Sequence, residues 1–413
     1  MKFLYKTTTY EAVESPSTEK KILSAVKNAR KYDPKAENKL YRVGGVVRDE
    51  IFGAKSKDID YLVTNVAFED LKTALSAISD KIVSTGVGES MQVIKAVIDG
   101  SEEPYDFAIP RTEVYGGSGK HDDLQAFGDP SLPVEADLSR RDLSFNAIAK
   151  DVETGEYIDP FGGVEDIKNG QIKAVRDPKE RFSEDPLRML RAIQFANRFG
   201  FQIEPKTLDA IRDNVDLIDN ITGERILEEF KKAFTKGKYE SNTIFVDLLE
   251  DTGLGKHVFG FDFNPVKVNK VFGDKFIVNM ILLFVNGGKM EVLKPPTEVI
   301  NAVNLASKLR LNAGDALKVM FKNGKYLQVM RDAATSMNDL RMLKKLDSLN
   351  GVPLENKELN IDSQWLMDRG YKDRALGEIQ KALILLIYEK KVANERKALE
   401  KYVEDEEMRT KVL

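Results

Sequence analysis

The chain has 413 residues, 63 of them Lys or Arg and 67 Asp or Glu, for a net charge of −4, and 42% are hydrophobic. That length accommodates about two to four domains with real apolar cores, and the near balance of charge announces no polyanion partner for the chain as a whole. The absence of cysteine excludes disulfides, thiolate zinc sites and a cysteine nucleophile, and with only His121 and His257 a multi-histidine metal centre is excluded as well.

Lys2 is followed by only three apolar residues, too few for a signal peptide, and no apolar run reaches the roughly 18 residues of a membrane span, so the reading is a soluble, cytoplasmic protein. After a polar start, Ser17 to Lys31 reads as a helix leading into a strand that ends at Tyr41-Arg42-Val43. Gly44-Gly45 is a turn where backbone can approach a ligand closely, Val46 to Phe52 is a short helix, and Asp58 to Val63 is a second strand. Alternation on that strand puts Asp58 and Asp60 on one face with Ile59 towards the core. Two neighbouring carboxylates call for a cation, and hard oxygen ligands suit Mg²⁺ that also binds substrate phosphates. A D-x-D spacing alone is as consistent with a solvated acidic hairpin. Joined to the Gly-Gly turn and Arg48, it reads as a triphosphate site at a helix start.

Phe68 to Ile78 has helical spacing, and Lys81–Ser84, Met91–Ile98 and Tyr105–Ile109 read as strands. Gly86-Val87-Gly88 lacks the third glycine of a dinucleotide fingerprint, and no GxxxxGK[ST] loop occurs. Asp106 lies on a strand that can run beside the Asp58/Asp60 strand, as a third carboxylate or as an ordinary edge acid. Thr112 to Glu135, rich in Gly and Pro, reads as a long mobile loop; within it His121-Asp122 spells the dipeptide of the HD phosphohydrolases but lacks their other histidines. Asp137 to Ala149 reads as a short helix, where Arg140 and Arg141 suit phosphate or ribose oxygens, or else pair with Asp137 or Asp142. Tyr157 to Gly163 is a strand ending in a turn, a hinge out of the first domain.

Beyond that hinge strand signals all but disappear. A helix from Phe182 to Ala196 has Pro186 at its first position and Asp185 as N-cap. Asp185, Arg188, Arg191 and Gln194 recur every third residue along it, a ladder able to read a base edge, although Asp185 can equally do no more than cap. Gly223 to Phe230 starts an amphipathic helix whose charges can brace that ladder. Ser307 to Leu346 carries nine Lys/Arg against three Asp, a phosphate-contacting face or a solvated helix surface. Trp365 to Arg369 is a helix stopped by Gly370, and a longer helix carries Leu376, Ile379, Leu383 and Leu386.

In this order, GGVVRD…DID, ADLSRRDLSFNAIA, DPFGGVEDI, FSEDPLRMLRAIQFA and GERILEEF, with the tail IDSQWLMDRGYKDRALGEIQKAL, resemble the class II tRNA nucleotidyltransferase and poly(A) polymerase family, most of all its CCA-adding enzymes. The match runs from about Tyr41 to Phe234 and again from about Lys357 to Val403. The resemblance implies an α+β chain: a small mixed α/β nucleotidyltransferase palm (1–165), then an all-helical neck (166–255), body (256–350) and tail (351–413). It implies two-metal, Mg²⁺-dependent addition of CCA to the 3′ end of tRNA from CTP and ATP, with poly(A) synthesis or partial CC or A addition as the alternative. A non-catalytic RNA-binding protein of the same fold is the rival of another class. By resemblance Asp58 and Asp60 hold Mg²⁺, with Asp106 a third catalytic carboxylate. Gly44, Gly45 and Arg48 take the triphosphate, and Arg141 and Asp142 the ribose and phosphates. Asp185 and Arg188 bond the base, Arg191 is nearby, and Gln194 stands where the family often has arginine.

Overall fold

A computed structural model describes residues 16–54, 56, 58–83, 92–115, 124–236, 240–311 and 316–412. Gly86-Val87-Gly88 and His121-Asp122 lie outside them. The first half is built on one mixed sheet. Helix α1 (Pro16–Asn28) precedes β1 (Lys39–Val43), helix α2 (Gly45–Ile51), β2 (Asp60–Thr64), helix α3 (Phe68–Ser76), β3 (Lys81–Val83), β4 (Val93–Val97) and β5 (Tyr105–Ala108). A hairpin of β6 (Arg111–Tyr115) and β7 (Leu124–Gly128) follows, then α4 (Val134–Ser139), β8 (Ala149–Asp151) and β9 (Tyr157–Ile158). The strand order is β3-β4-β5-β2-β1-β8-β9, antiparallel except for the β2–β5 pair.

Strand alternation sorts the side chains onto two faces. Register pairs Leu40 with Val63 and Tyr41 with Leu62. Tyr41, Val43 and Leu62 pack with Val134 and Leu138 of α4 in one buried cluster, while Leu40, Tyr61 and Val63 are buried on the other side. Asp60 stands two residues before Leu62, and Asp106 two before Ala108, which packs against the same cluster. Both acids therefore emerge where the α4-covered face runs out of apolar residues.

Two expectations are corrected. Thr112 to Glu135 is not one loop: Thr112 pairs with Phe127 and Glu113 with Ala126 in the β6–β7 hairpin, and Val134 already belongs to α4. Asp137 to Ala149 is not one helix, for α4 ends at Ser139, a single tight turn spans Ser144–Asn146, and β8 starts at Ala149. The residues between, Arg140 to Leu143, are thereby released from helical geometry and can aim at a ligand.

Helices α5 (Gly163–Asn169), α6 (Pro178–Glu184), α7 (Leu187–Phe199), α8 (Pro205–Asp213) and α9 (Gly223–Thr235) continue the chain, with a two-residue parallel bridge of β10 (Gln171–Ile172) and β11 (Gln202–Ile203). The helix expected from Phe182 is two helices. Pro186 forces Asp185 into an extended conformation, φ −143° and ψ 99°, so α6 stops at Glu184 and α7 begins at Leu187.

Packing divides the chain into two units, one running to Ala233 and taking in Leu248–Val258, the other holding Phe234–Asp247 and everything from Phe259. The second unit is helical. Its α10 (Lys275–Phe284) buries seven consecutive residues, Val278 to Phe284, the mark of a helix covered on all sides. It packs against α11 (Thr297–Leu311) and α12 (Leu327–Ser336). Further on, Ser363–Asp368 is the helix expected at Trp365, ended by Gly370 at φ 97°, and Asp373–Tyr388 the longer one. Among the described residues no helix is long and apolar enough to cross a membrane.

Candidate active site

A cleft of about 490 Å³ in the first unit is lined by Gly44, Gly45, Arg48, Asp60, Glu113, Arg140, Arg141, Asp142, Asn146, Asp185, Arg188, Arg191, Phe195 and Arg225. Six arginines face four carboxylates, an excess of positive charge suited to a polyanionic ligand. Ten of the residues singled out in the sequence meet here, although they span the chain from Gly44 to Arg191. Asp58, Asp106 and Gln194 are not among the lining residues.

Gly44 shows why the turn needs glycine. Its φ of 73° with ψ of −130° is closed to other residues, and a Cβ there would stand 2.6 Å from Arg141 Nη1. No side chain caps the first turn of α2. Arg48, expected at the triphosphate, is 5% exposed and heavily committed. It donates to Asp49 Oδ1 (2.8 Å) and Asn146 Oδ1 (2.7 Å), and its guanidinium lies 5.4 Å from the Phe195 ring and 5.2 Å from that of Phe199. Arg48 thus ties α2 to α7 from within the cleft wall.

Asp60 opens β2 directly beside Asp106 of β5. Burial pushes its carboxyl above the ordinary value; Arg141 opposes that shift, and the like charges of Asp106 and Asp58 add to it. Asp58 lies just before the strand and is exposed. An acid held up by burial and two like neighbours gains most from a bound cation, so the donor set of Asp58 and Asp60 fits a divalent ion that shares its shell with phosphates. Among the described residues no group of three or more His, Cys, Asp or Glu is placed to hold a metal by itself.

The two arginines after α4 do pair with Asp137, as one reading of the sequence allowed. Arg140 donates to Asp137 Oδ1 (2.5 Å) and Glu113 Oε1 (2.7 Å), and Arg141 to Asp137 Oδ2 (3.1 Å) and the Asn146 carbonyl (3.3 Å). Burial would raise the Asp137 carboxyl, but Arg140 and Arg141 outweigh it and hold it below the ordinary range. Asp142 accepts from the Leu143 amide, Asn146 Nδ2 and Arg191 Nη2 (2.7 Å). Burial opposes its ionisation, yet Arg191 and Asn146 bring its pKa down to about 2. Asp142 is therefore a charged anchor holding Arg191 at the cleft.

Asp185 accepts from the Leu187 amide (3.2 Å), a capping contact, and from Arg225 Nη2 (3.2 Å) while its side chain stays 24% exposed. Arg188 donates to Glu184 Oε2 (3.0 Å) and the Arg140 carbonyl (3.1 Å). Asp185 and Arg188 thus sit side by side at the start of α7, each braced from behind. Gln194 is apart: it is 1% exposed, and its Nε2 has no hydrogen-bond partner. Its position on α7 points into the helix packing, which explains why the three-residue ladder ends at Arg191.

Four cleft residues carry no such sequence signal. Asn146 and Arg225 lie inside motifs quoted above, and Phe195 lies on the expected helix; their roles depend on partners that spacing does not reveal. Glu113 had no signal at all, because its stretch reads as loop.

A mixed sheet carries Asp60 and Asp106 near the starts of two central strands, beside a glycine turn and an arginine-lined helix start. Residues 40–173 match the model of the poly A polymerase head domain, and residues 200–261 that of a probable RNA and SrmB-binding site of polymerase A. Over these two stretches the chain is similar to the poly(A) polymerase family. The multifunctional CCA protein of Acinetobacter baumannii strain SDF is 36% identical over 228 residues, 53% of this chain and 50% of that protein. The CCA-adding enzyme of Lactobacillus helveticus strain DPC 4571 is 38% identical over 192 residues, 46% and 45% of the two chains. The chain spans about half the length of the curated relatives it matches. In fold it is similar to the Bacillus stearothermophilus CCA-adding enzyme in complex with CTP, with a TM-score of 0.70 and 23% identity, covering 97% of this chain and 100% of that one. It is also similar to the Thermotoga maritima CCA-adding enzyme complexed with tRNA_CCA, with a TM-score of 0.65 and 19% identity, covering 95% and 96%.

Proposed function

We propose that this protein is a cytoplasmic, template-independent nucleotidyltransferase that adds CCA to the 3′ end of tRNA from CTP and ATP, releasing pyrophosphate. The observation that carries this reading is the meeting, in one cleft, of the acid Asp60 with the Asp185/Arg188 pair on α7. Asp58 and Asp60 would hold Mg²⁺, which when bound supplies charge neutralisation at the triphosphate and a more acidic 3′-hydroxyl. The chain's own residues do the rest. Arg141, anchored by Asp137, and Arg191, anchored by Asp142, bring fixed positive charge to the ribose and phosphates. Gly44 leaves room for that approach.

Base selection falls to Asp185 and Arg188. Cytosine and adenine both present an amino donor beside a ring-nitrogen acceptor, matching a carboxylate beside a guanidinium. Uracil and guanine present the reverse pattern and leave those groups unpaired, a strong basis for rejection. The bracing by Arg225 and Glu184 keeps the pair in register without a nucleic-acid template. The helical regions 166–255, 256–350 and 351–413 serve in this reading as neck, RNA-holding body and tail.

Purified protein with Mg²⁺, tRNA ending at the discriminator base, and CTP, ATP or both tests this through product length. Three added nucleotides and a stop are expected with both; two are expected with CTP alone. A long ladder with ATP indicates a poly(A) polymerase, which the match to the poly A polymerase head domain makes the second reading. No extension indicates an RNA-binding protein of this fold.

A further inference from the structure

One charged pair beside Asp60 is given no role in the reaction as proposed above. Lys95 of β4 stands directly opposite Asp106 of β5, and Asp106 is in turn the register partner of Asp60 on β2. Lys95 Nζ lies 2.8 Å from Asp106 Oδ1 and 2.6 Å from Oδ2, one ammonium spanning both oxygens. The side chains are 39% and 28% exposed, so the pair is reachable from solvent, and desolvation does not force it together. The row across the sheet thus reads cation, acid, acid, with Asp58 two residues before Asp60 along the chain.

A third carboxylate beside Asp58 and Asp60 would let the free protein grip a divalent ion before any substrate arrived. Ligand charge count sets such affinities directly. Lys95 already occupies the place on Asp106 that an ion would take. We propose that Lys95 is a resident counter-cation that keeps Asp106 out of the metal shell, so that the ion is held firmly only when it arrives with the nucleoside triphosphate. This rests on the metal reading of Asp58 and Asp60 given above. It makes Lys95 a positioning residue and removes Asp106 from the ligands that the family resemblance implied. A two-acid shell also loosens its hold once pyrophosphate leaves, as repeated addition requires.

Titration of Mn²⁺ into the full-length protein, without nucleotide or RNA, tests the inference by calorimetry or electron paramagnetic resonance. Lys95→Met is expected to bind Mn²⁺ about tenfold more tightly than the wild type, because Asp106 becomes available as a ligand. Lys95→Arg, which keeps the charge, and Asp106→Asn should both stay within about twofold of wild type. An unchanged affinity in Lys95→Met, or a roughly tenfold loss in Asp106→Asn, overturns the proposal; the second measurement stands even if Lys95→Met fails to fold. Lys95→Met/Asp60→Asn separates the two readings. Loss of the tightened binding is expected, and its persistence refutes the metal assignment and this inference together. Failure of Lys95→Met alone to tighten binding, with Asp60→Asn still abolishing what binding the wild type has, refutes only the role of Lys95.

Discussion

The two units use charge in opposite ways. In the cleft, Asp137 and Asp142 are buried and each is held by arginine, and Arg48 and Arg188 are themselves nearly inaccessible. Among the described residues of the second unit the ion pairs are more exposed, as between Arg374 and Glu378, whose side chains are 92% and 61% exposed. Buried pairs are costly to assemble and costly to break, whereas exposed pairs contribute little. A fold keeps the costly kind where orientation matters, and the cleft pairs all point a guanidinium at one place. The second unit relies on aliphatic packing around α10 and leaves its surface charge adjustable.

The contrast is sharpest in chemistry. Asp60→Asn is expected to lower nucleotide incorporation by at least about a thousandfold in a primer-extension assay while the protein remains folded. Near-normal turnover would remove Asp60 from the reaction. Next in size is stability. Arg191→Met leaves Asp142 buried without its main partner and should cost about 3–5 kcal/mol in urea unfolding, whereas Asp142→Asn/Arg191→Met should cost markedly less. Equal losses in the two proteins would mean that Arg191 matters through packing instead.

A pH titration gives a smaller effect. Asp142 moves from its ordinary value of 3.8 to about 2 in the folded state. A lowered carboxylate contributes stability that is complete above the unfolded value and disappears as pH falls through the folded one. About 2 kcal/mol should therefore be lost between roughly pH 4.5 and pH 2, and Asp142→Asn should lack that part of the slope. The smallest effect belongs to the second unit, where Arg374→Ala/Glu378→Ala is expected to leave the unfolding midpoint unchanged.

Legibility in the sequence follows the same division. The Gly-Gly turn, the Asp60 strand and the α7 helix could be read because backbone strain, alternation and a proline each leave a local mark. Lys95 opposite Asp106 and Glu113 beside Arg140 could not, since the first depends on the β4–β5 register and the second on how β6 meets the end of α4. The β6–β7 hairpin reads as loop in the sequence because glycines and prolines crowd the stretch around it. Pro186 marks a helix start in the sequence, but α7 begins one residue later, at Leu187, and the proline also holds Asp185 extended, which ends α6. Gln194 continued a three-residue rhythm that a 3.6-residue helix carries off the cleft face within three steps.

The central claim is that Asp185 and Arg188, rather than a nucleic-acid template, choose the base. The most direct test compares single-nucleotide addition of CTP and UTP to tRNA ending at the discriminator base, for the wild type and for Asp185→Ala. The account predicts strong preference for CTP in the wild type and loss of at least about tenfold of that preference in the variant. Preference left unchanged by Asp185→Ala would contradict it.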